Sequence, residues 1–217
     1  MIEKVRFVLL YLVLVTESVV QTHAAEPSDL AWARVKDADH WTEVVARAVT
    51  ATTLPNIVPA DISAFCPSYE QSSTAERSHF WVGLIAAIAD AETAGRFNPR
   101  DSYTESMHEH GPQSPFVVSR GLLQLSFPGD RDTYQCKIAD AQALYDPSVN
   151  LACGVKILAK LVTHDQRIAG QVGSTWKGGA AYWSTLRSSG GKGNSNARNL
   201  AKVERHTQAL SVCRAHN

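Results

Sequence analysis

A carboxylic acid that still holds its proton near neutral pH can act as a general acid. One glutamate in this chain has the setting for it. Ser73 and Glu76 form an S-x-x-E pattern that opens a helix. Phe80, Trp81, Leu84, Ile85 and Ile88 follow at spacings of three and four, so the spacing predicts one apolar stripe. The next position on that stripe is Glu92, and Gly95 is suited to stop the helix just beyond it. Desolvation and the negative end of the helix dipole both disfavour a charged carboxylate there and raise its pKa. A second outcome is open on helical geometry alone: Glu92 at the stripe's edge, reaching into water.

Other side chains are weaker candidates. Glu105, Glu109, Asp130 and Asp132 would serve as a second carboxylate for hydrolysis, but acids on polar loops are usually just solvated. His108-Glu109-His110 lacks the H-E-x-x-H spacing of a zinc helix and has no cysteine or third histidine nearby, so a solvated loop is expected and no metal or cofactor. No G-x-S-x-G, P-loop or dinucleotide fingerprint occurs. Trp176 and Trp183 are able to stack on sugars, but their helical spacing favours core packing for at least one of them.

The elements that would position Glu92 belong to a chain of 217 residues, enough for one domain with a sizeable core. Residues 1–24 resemble a signal peptide: Lys4 and Arg6 precede the apolar run Phe7 to Val15, and Thr22-His23-Ala24 suits cleavage before Ala25. That run is far shorter than the roughly 20 residues a spanning helix needs. Lys plus Arg equals Asp plus Glu at 21 each, so no basic field argues for nucleic acid or an anionic membrane surface. In an exported, periplasmic or extracellular chain the 4 cysteines imply disulfides. Cys136–Cys153 is preferred as a short local loop, and Cys66–Cys213 as the link from the domain's start to its end.

Residues 25–65 form an N-terminal helical segment, with Trp41, Val44, Val45, Ala48 and Val49 on one face. Pro55 and Pro59 close it. After the Glu92 helix, Asn98 to Ser119 is irregular and rich in Pro and Gly. Asp146 and Pro147 open another helix, with Leu151, Val155, Leu158 and Val162 inward. Trp176, Ala180, Trp183 and Leu186 recur at helical spacing over Ser174–Arg187. Ser195 is placed to cap a last helix carrying Leu200, Val203, Thr207 and Leu210. No alternating strand pattern of any length is evident. The class is mainly α, with a short β-hairpin or irregular loop in residues 98–127.

With these elements in hand, four segments resemble one family. Glu92-Thr93-Ala94-Gly95-Arg96-Phe97-Asn98-Pro99 is similar to the E-[ST]-x-G-x-F-N-P motif of lytic transglycosylases of the soluble type (the SLT domain), which have the lysozyme-like fold. Gly121-Leu122-Leu123-Gln124 resembles their G-L-[ML]-Q. Asp146 to Gly154 resembles D-P-x-x-N-[IL]-x-x-G, and Ala180-Ala181-Tyr182 the start of A-A-Y-N. All four stand in the family's order. Trp183 departs from the family's Asn, and the loop from Asn98 to Gly121 is longer than a minimal member's.

The resemblance implies a lysozyme-like domain over residues 66–217 that cleaves the β-1,4 bond between N-acetylmuramic acid and N-acetylglucosamine. Glu92 would protonate the leaving oxygen and then accept the proton of the muramic 6-hydroxyl, which closes a 1,6-anhydro ring. Gln124 and Tyr182 would lie in the cleft, and local hydrogen bonding would fall to Ser119, Gln124 and Tyr182. Each also has a plain structural role: a turn serine, a strand-edge amide and a helix-face aromatic. Peptidoglycan glycan strands are the expected partner, and the protein is expected to act as a monomer. Small members of the family also serve envelope-spanning secretion or conjugation machinery. The alternatives are a hydrolytic muramidase (lysozyme) of the same fold and a catalytically silent cell-wall binding module.

Overall fold

The computed structural model describes residues 27–105 and 117–214. The segment 1–24 expected as a signal peptide, and His108-Glu109-His110, lie outside them. The helices are α1 (Ala38–Thr50), α2 (Ile62–Phe65), α3 (Thr74–Glu92), α4 (Gly129–Tyr134), α5 (Pro147–Asp165) and α6 (Ser195–Gln208). The strands are β1 (Ser102–Glu105), β2 (Val117–Arg120), β3 (Leu125–Ser126), β4 (Ala169–Val172) and β5 (Thr175–Gly178). β1, β2 and β3 form one antiparallel sheet in that order, inside the region expected to hold a hairpin, and β4 pairs with β5.

The organising element is α3. Its capping box forms as expected, with Ser73 Oγ accepting from Glu76 N–H and the Glu76 carboxylate accepting from Ser73 N–H. The expected single stripe does not describe it. From Phe80 to Ala89 every residue is buried, on all sides of the helix. A helix apolar all round is a core helix, not a surface one. Its small residues allow close approach: a Cβ on Gly83 would lie 2.4 Å from Leu210 Cδ1. α1, α5 and α6 pack around it, and Trp41, Val45, Leu151, Leu158 and Val203 join one continuous core with it.

α5 begins as expected, with Asp146 accepting from Ser148 N–H and Pro147 at the first position. α6 starts at Ser195, but Asn194 in a left-handed conformation is its cap residue and Ser195 lies inside the helix. Cys66–Cys213 and Cys136–Cys153 are both formed.

One element departs from expectation. Ser174–Arg187 is not a helix: β4 and β5 make a hairpin, and two 3-10 turns follow, Gly179–Ala181 and Ser184–Leu186. The pair Val172↔Thr175 leaves a two-residue turn, Gly173-Ser174, with Gly173 at φ 59°. Gly first in such a turn favours a hairpin. Gly178, at φ 59°, then lies where a Cβ would come 2.2 Å from Arg167 O, so a helix cannot run through. Asp61 accepts from the N–H groups of Ile168 and Ala169, and Asp165 from that of Gly178, which fixes the hairpin on the core.

Candidate active site

Glu92 is the last residue of α3, half-buried, at a cleft of about 260 Å³. The cleft is lined by Glu92, Arg96, Asp101, Ser102, Tyr103, Ser119, Gln124 and Ser184. Its sides come from three places: the turn after α3, the β1–β2 sheet and the 3-10 turn at Ser184.

The turn after Glu92 is held by its own side chains. Thr93 is buried. Its hydroxyl donates to Ala89 O at 2.7 Å and accepts from Phe97 N–H at 3.1 Å. Gly95, at φ 77°, donates its N–H to Asp90 O. Asp101 is then fixed on both oxygens. Oδ2 accepts from the Arg96 guanidinium at 2.8 and 3.1 Å, and Oδ1 from Asn98 Nδ2 at 2.9 Å. The Asp101 carbonyl accepts from Gly121 N–H at 2.8 Å, so Asp101, held by Arg96 and Asn98 of the first motif, links that motif to the second.

The second motif is held in turn by the third. Asn150 is buried on α5. Its Nδ2 donates to Arg120 O and Leu144 O, and its Oδ1 accepts from Leu123 N–H. Gly121 sits at φ 75°, and a Cβ there would lie 2.3 Å from Leu144 O. Gly154, one turn along α5 from Asn150, leaves room for Leu123, whose Cδ1 would be 2.1 Å from an added Cβ.

Ser119 is a strand residue and not a turn residue. It pairs with Tyr103 on one side and Ser126 on the other. It lines the cleft together with Glu92 and Gln124. Gln124 is not at a strand edge but in the turn before β3, at φ 49°. Its Nε2 donates to Gly121 O and Asp101 O, and its Oε1 is buried without a partner. Tyr182 ends a 3-10 turn instead of facing off a helix, and it does not line this cleft. Its hydroxyl donates to Asp130 Oδ2 at 2.6 Å, and the same oxygen accepts from Ser126 N–H. Burial pushes the Asp130 carboxyl up, outweighing the hydrogen bonds from Tyr182 and Ser126. Burial, then the charge of Asp130, raise the Tyr182 hydroxyl well above its ordinary value.

Trp183, the departure from the family pattern, is buried against Tyr182 and donates its indole N–H to Leu123 O at 2.9 Å. Trp176 is half-buried on β5 with Arg187 over its ring. Asp132 is exposed and paired with Arg131. Six contributors to the site were not among the sequence candidates. Arg96, Asp101, Ser102, Tyr103 and Ser184 line the cleft, and the sixth is Thr185, whose buried hydroxyl donates to Glu92 Oε1 at 2.6 Å. Asp101 carried a local signal, an Asp three residues past an Asn at a turn. Ser184 and Thr185 carried none, because the 93-residue separation from Glu92 is closed only by folding. Among the described residues no group of His, Cys, Asp and Glu is arranged to hold a metal ion.

A buried central helix ending in a cleft glutamate, beside a small antiparallel sheet in a mainly α body, defines a lysozyme-like protein. Structures of the Bdellovibrio protein Bd0314 DslA match the chain. A glutamate-to-glutamine variant of it gives a TM-score of 0.74 at 35% identity, covering 85% of this chain and 97% of that one. Wild-type DslA gives 0.71 at 36%, covering 83% and 94%. A second glutamate-to-glutamine variant gives the same values as the wild type. No protein-family model and no curated protein sequence matches. At this identity and coverage the chain belongs to the DslA family.

Proposed function

We propose that the protein is an exported lytic transglycosylase of the soluble type acting on peptidoglycan. It cleaves the β-1,4 bond between N-acetylmuramic acid and N-acetylglucosamine. Glu92 protonates the glycosidic oxygen as the C1–O bond breaks. The same carboxylate then takes the proton of the muramic 6-hydroxyl as O6 bonds to C1. No water is consumed, and proximity makes the internal attack competitive. The supporting observation is the composition of the cleft: one glutamate at a helix end among the hydroxyls of Ser102, Tyr103, Ser119 and Ser184. Tyr103 is 65% exposed there, so its ring is available to stack on a sugar. Gln124 holds the cleft wall in this reading, and Tyr182 acts behind it.

One observation favours hydrolysis by a lysozyme instead: Asp101 is a second carboxylate in the same cleft. Both of its oxygens are already engaged, Oδ2 by the Arg96 guanidinium and Oδ1 by Asn98 Nδ2, which holds the carboxylate in the cleft wall. Digestion of purified sacculi by the parent, Glu92→Gln and Asp101→Asn separates the readings. Transglycosylation requires anhydro products from the parent and from Asp101→Asn, and none from Glu92→Gln. Products all heavier by one water establish the muramidase. Sacculus binding without cleavage by any of them establishes the binding module.

Residues 1–24 are the export signal in this proposal, 25–65 the leading helical segment and 66–217 the catalytic domain. Disulfides suit an oxidising compartment, and no described helix is long and apolar enough to cross a membrane. A mature N-terminus other than Ala25 would displace the cleavage site. Action as a monomer, and service to a secretion or conjugation machine, are read by sedimentation and by co-purification from envelopes.

A further inference from the structure

Thr185 is 6% exposed and lies in the 3-10 turn Ser184–Leu186. Its hydroxyl donates to Glu92 Oε1 at 2.6 Å. The turn is anchored independently of Glu92. Tyr182 is tied to Asp130, the Trp183 indole to Leu123 O, and the Arg187 Nε to Ala180 O, while Leu186 is fully buried. A β-branched side chain on such a turn has little χ1 freedom left. The hydroxyl is therefore a fixed donor to which the longer glutamate side chain adjusts.

We propose that Thr185 is a positioning residue that holds Oε1 of Glu92, so that the proton given to the leaving oxygen is carried by Oε2. A hydroxyl has one proton. While it is donated to Oε1, the acid proton of Glu92 is favoured on the other oxygen, because a carboxyl C=O oxygen is the better acceptor. Thr185 thus selects both the carboxyl rotamer and the reacting atom. Because the donated bond is stronger to the ionised form, removing it favours the protonated form. This rests on the reading of Glu92 as the acid.

The test uses the mature protein and its Thr185→Val, Thr185→Ser and Glu92→Gln variants on sacculi. Valine keeps the volume and removes the donor; serine keeps the donor. Glu92 acts first as an acid, so activity declines as pH rises through its pKa. Thr185→Val should lower kcat by about tenfold or more with little change in KM. It should also move that decline upward by roughly one pH unit. Thr185→Ser should restore both. The Glu92 carboxyl carbon, followed by NMR, should titrate higher in Thr185→Val and near the parent in Thr185→Ser, whether or not the variants turn over. An unchanged Glu92 titration in folded Thr185→Val overturns the positioning role. Full activity in Glu92→Gln overturns the assignment of the acid itself, and the positioning role with it.

Discussion

Asn150 on α5 accepts a hydrogen bond from the backbone N–H of Leu123 at 2.9 Å. Its amide also donates to the carbonyls of Arg120 and Leu144. One buried side chain therefore binds the Gly121–Gln124 turn to the helix behind it. Gln124, which lines the cleft, stands on that turn.

Replacing Asn150 with Ala would leave Leu123 N–H and two carbonyls without their partner. The expected loss is about 3 kcal/mol, since each buried unsatisfied group costs on the order of 1–3 kcal/mol. Urea unfolding measures it. A change below about 1 kcal/mol would mean that water replaces the amide at little cost.

Gly121→Ala should also be damaging, for a different reason. Its φ is 75° and the new methyl would meet Leu144 O, a backbone atom that cannot turn aside. A loss of about 2 kcal/mol or more is expected, with activity falling further as Gln124 shifts. Wild-type stability and turnover in this variant would contradict the close packing.

The disulfides should differ in weight. Cys66–Cys213 spans 147 residues and Cys136–Cys153 spans 17. Chain entropy assigns about 5 kcal/mol to the first and about 3 kcal/mol to the second. Paired Cys→Ser variants, compared by chemical denaturation, should keep that order. The reverse order would point to native-state contacts in place of loop closure.

Acid should loosen the junction of the two chain ends. Asp29 accepts from His79 on α3 and from the N–H and hydroxyl of Ser211. Burial pushes its carboxyl up, but these bonds outweigh it and take the pKa down to about 2 from 3.8. A depressed carboxylate contributes stability that is complete above the unfolded value and fades as pH falls through the folded one. The thermal midpoint should thus drop between about pH 4 and pH 2 by more in the parent than in Asp29→Asn. Parallel curves would exclude the linkage.

Much of the fold was legible because its signals are local. The Ser73–Glu76 box, the Asp146-Pro147 start and the inward faces of α1 and α5 depend on residues within a few positions of each other. The β4–β5 hairpin was also written locally, in Val172-Gly173-Ser174-Thr175, but helical spacing of Trp176, Ala180, Trp183 and Leu186 concealed it. Those four are buried or half-buried because the strand and turns fold onto α5, not because they share a helix face.

The sequence by itself determined where α3 and α5 begin and that Glu92 ends a helix beside a turn, and it favoured the cysteine pairing that formed. Its apolar stripe proved to be the visible part of a helix buried on all sides. Only the tertiary structure decided what surrounds the carboxyl. Thr185 reaches Glu92, Tyr182 is claimed by Asp130, and Asp101 is neutralised by Arg96. The physical reason is range. Caps and turns are settled by hydrogen bonds within a few residues, whereas a side-chain contact across 93 residues exists only once the core has brought its two elements together.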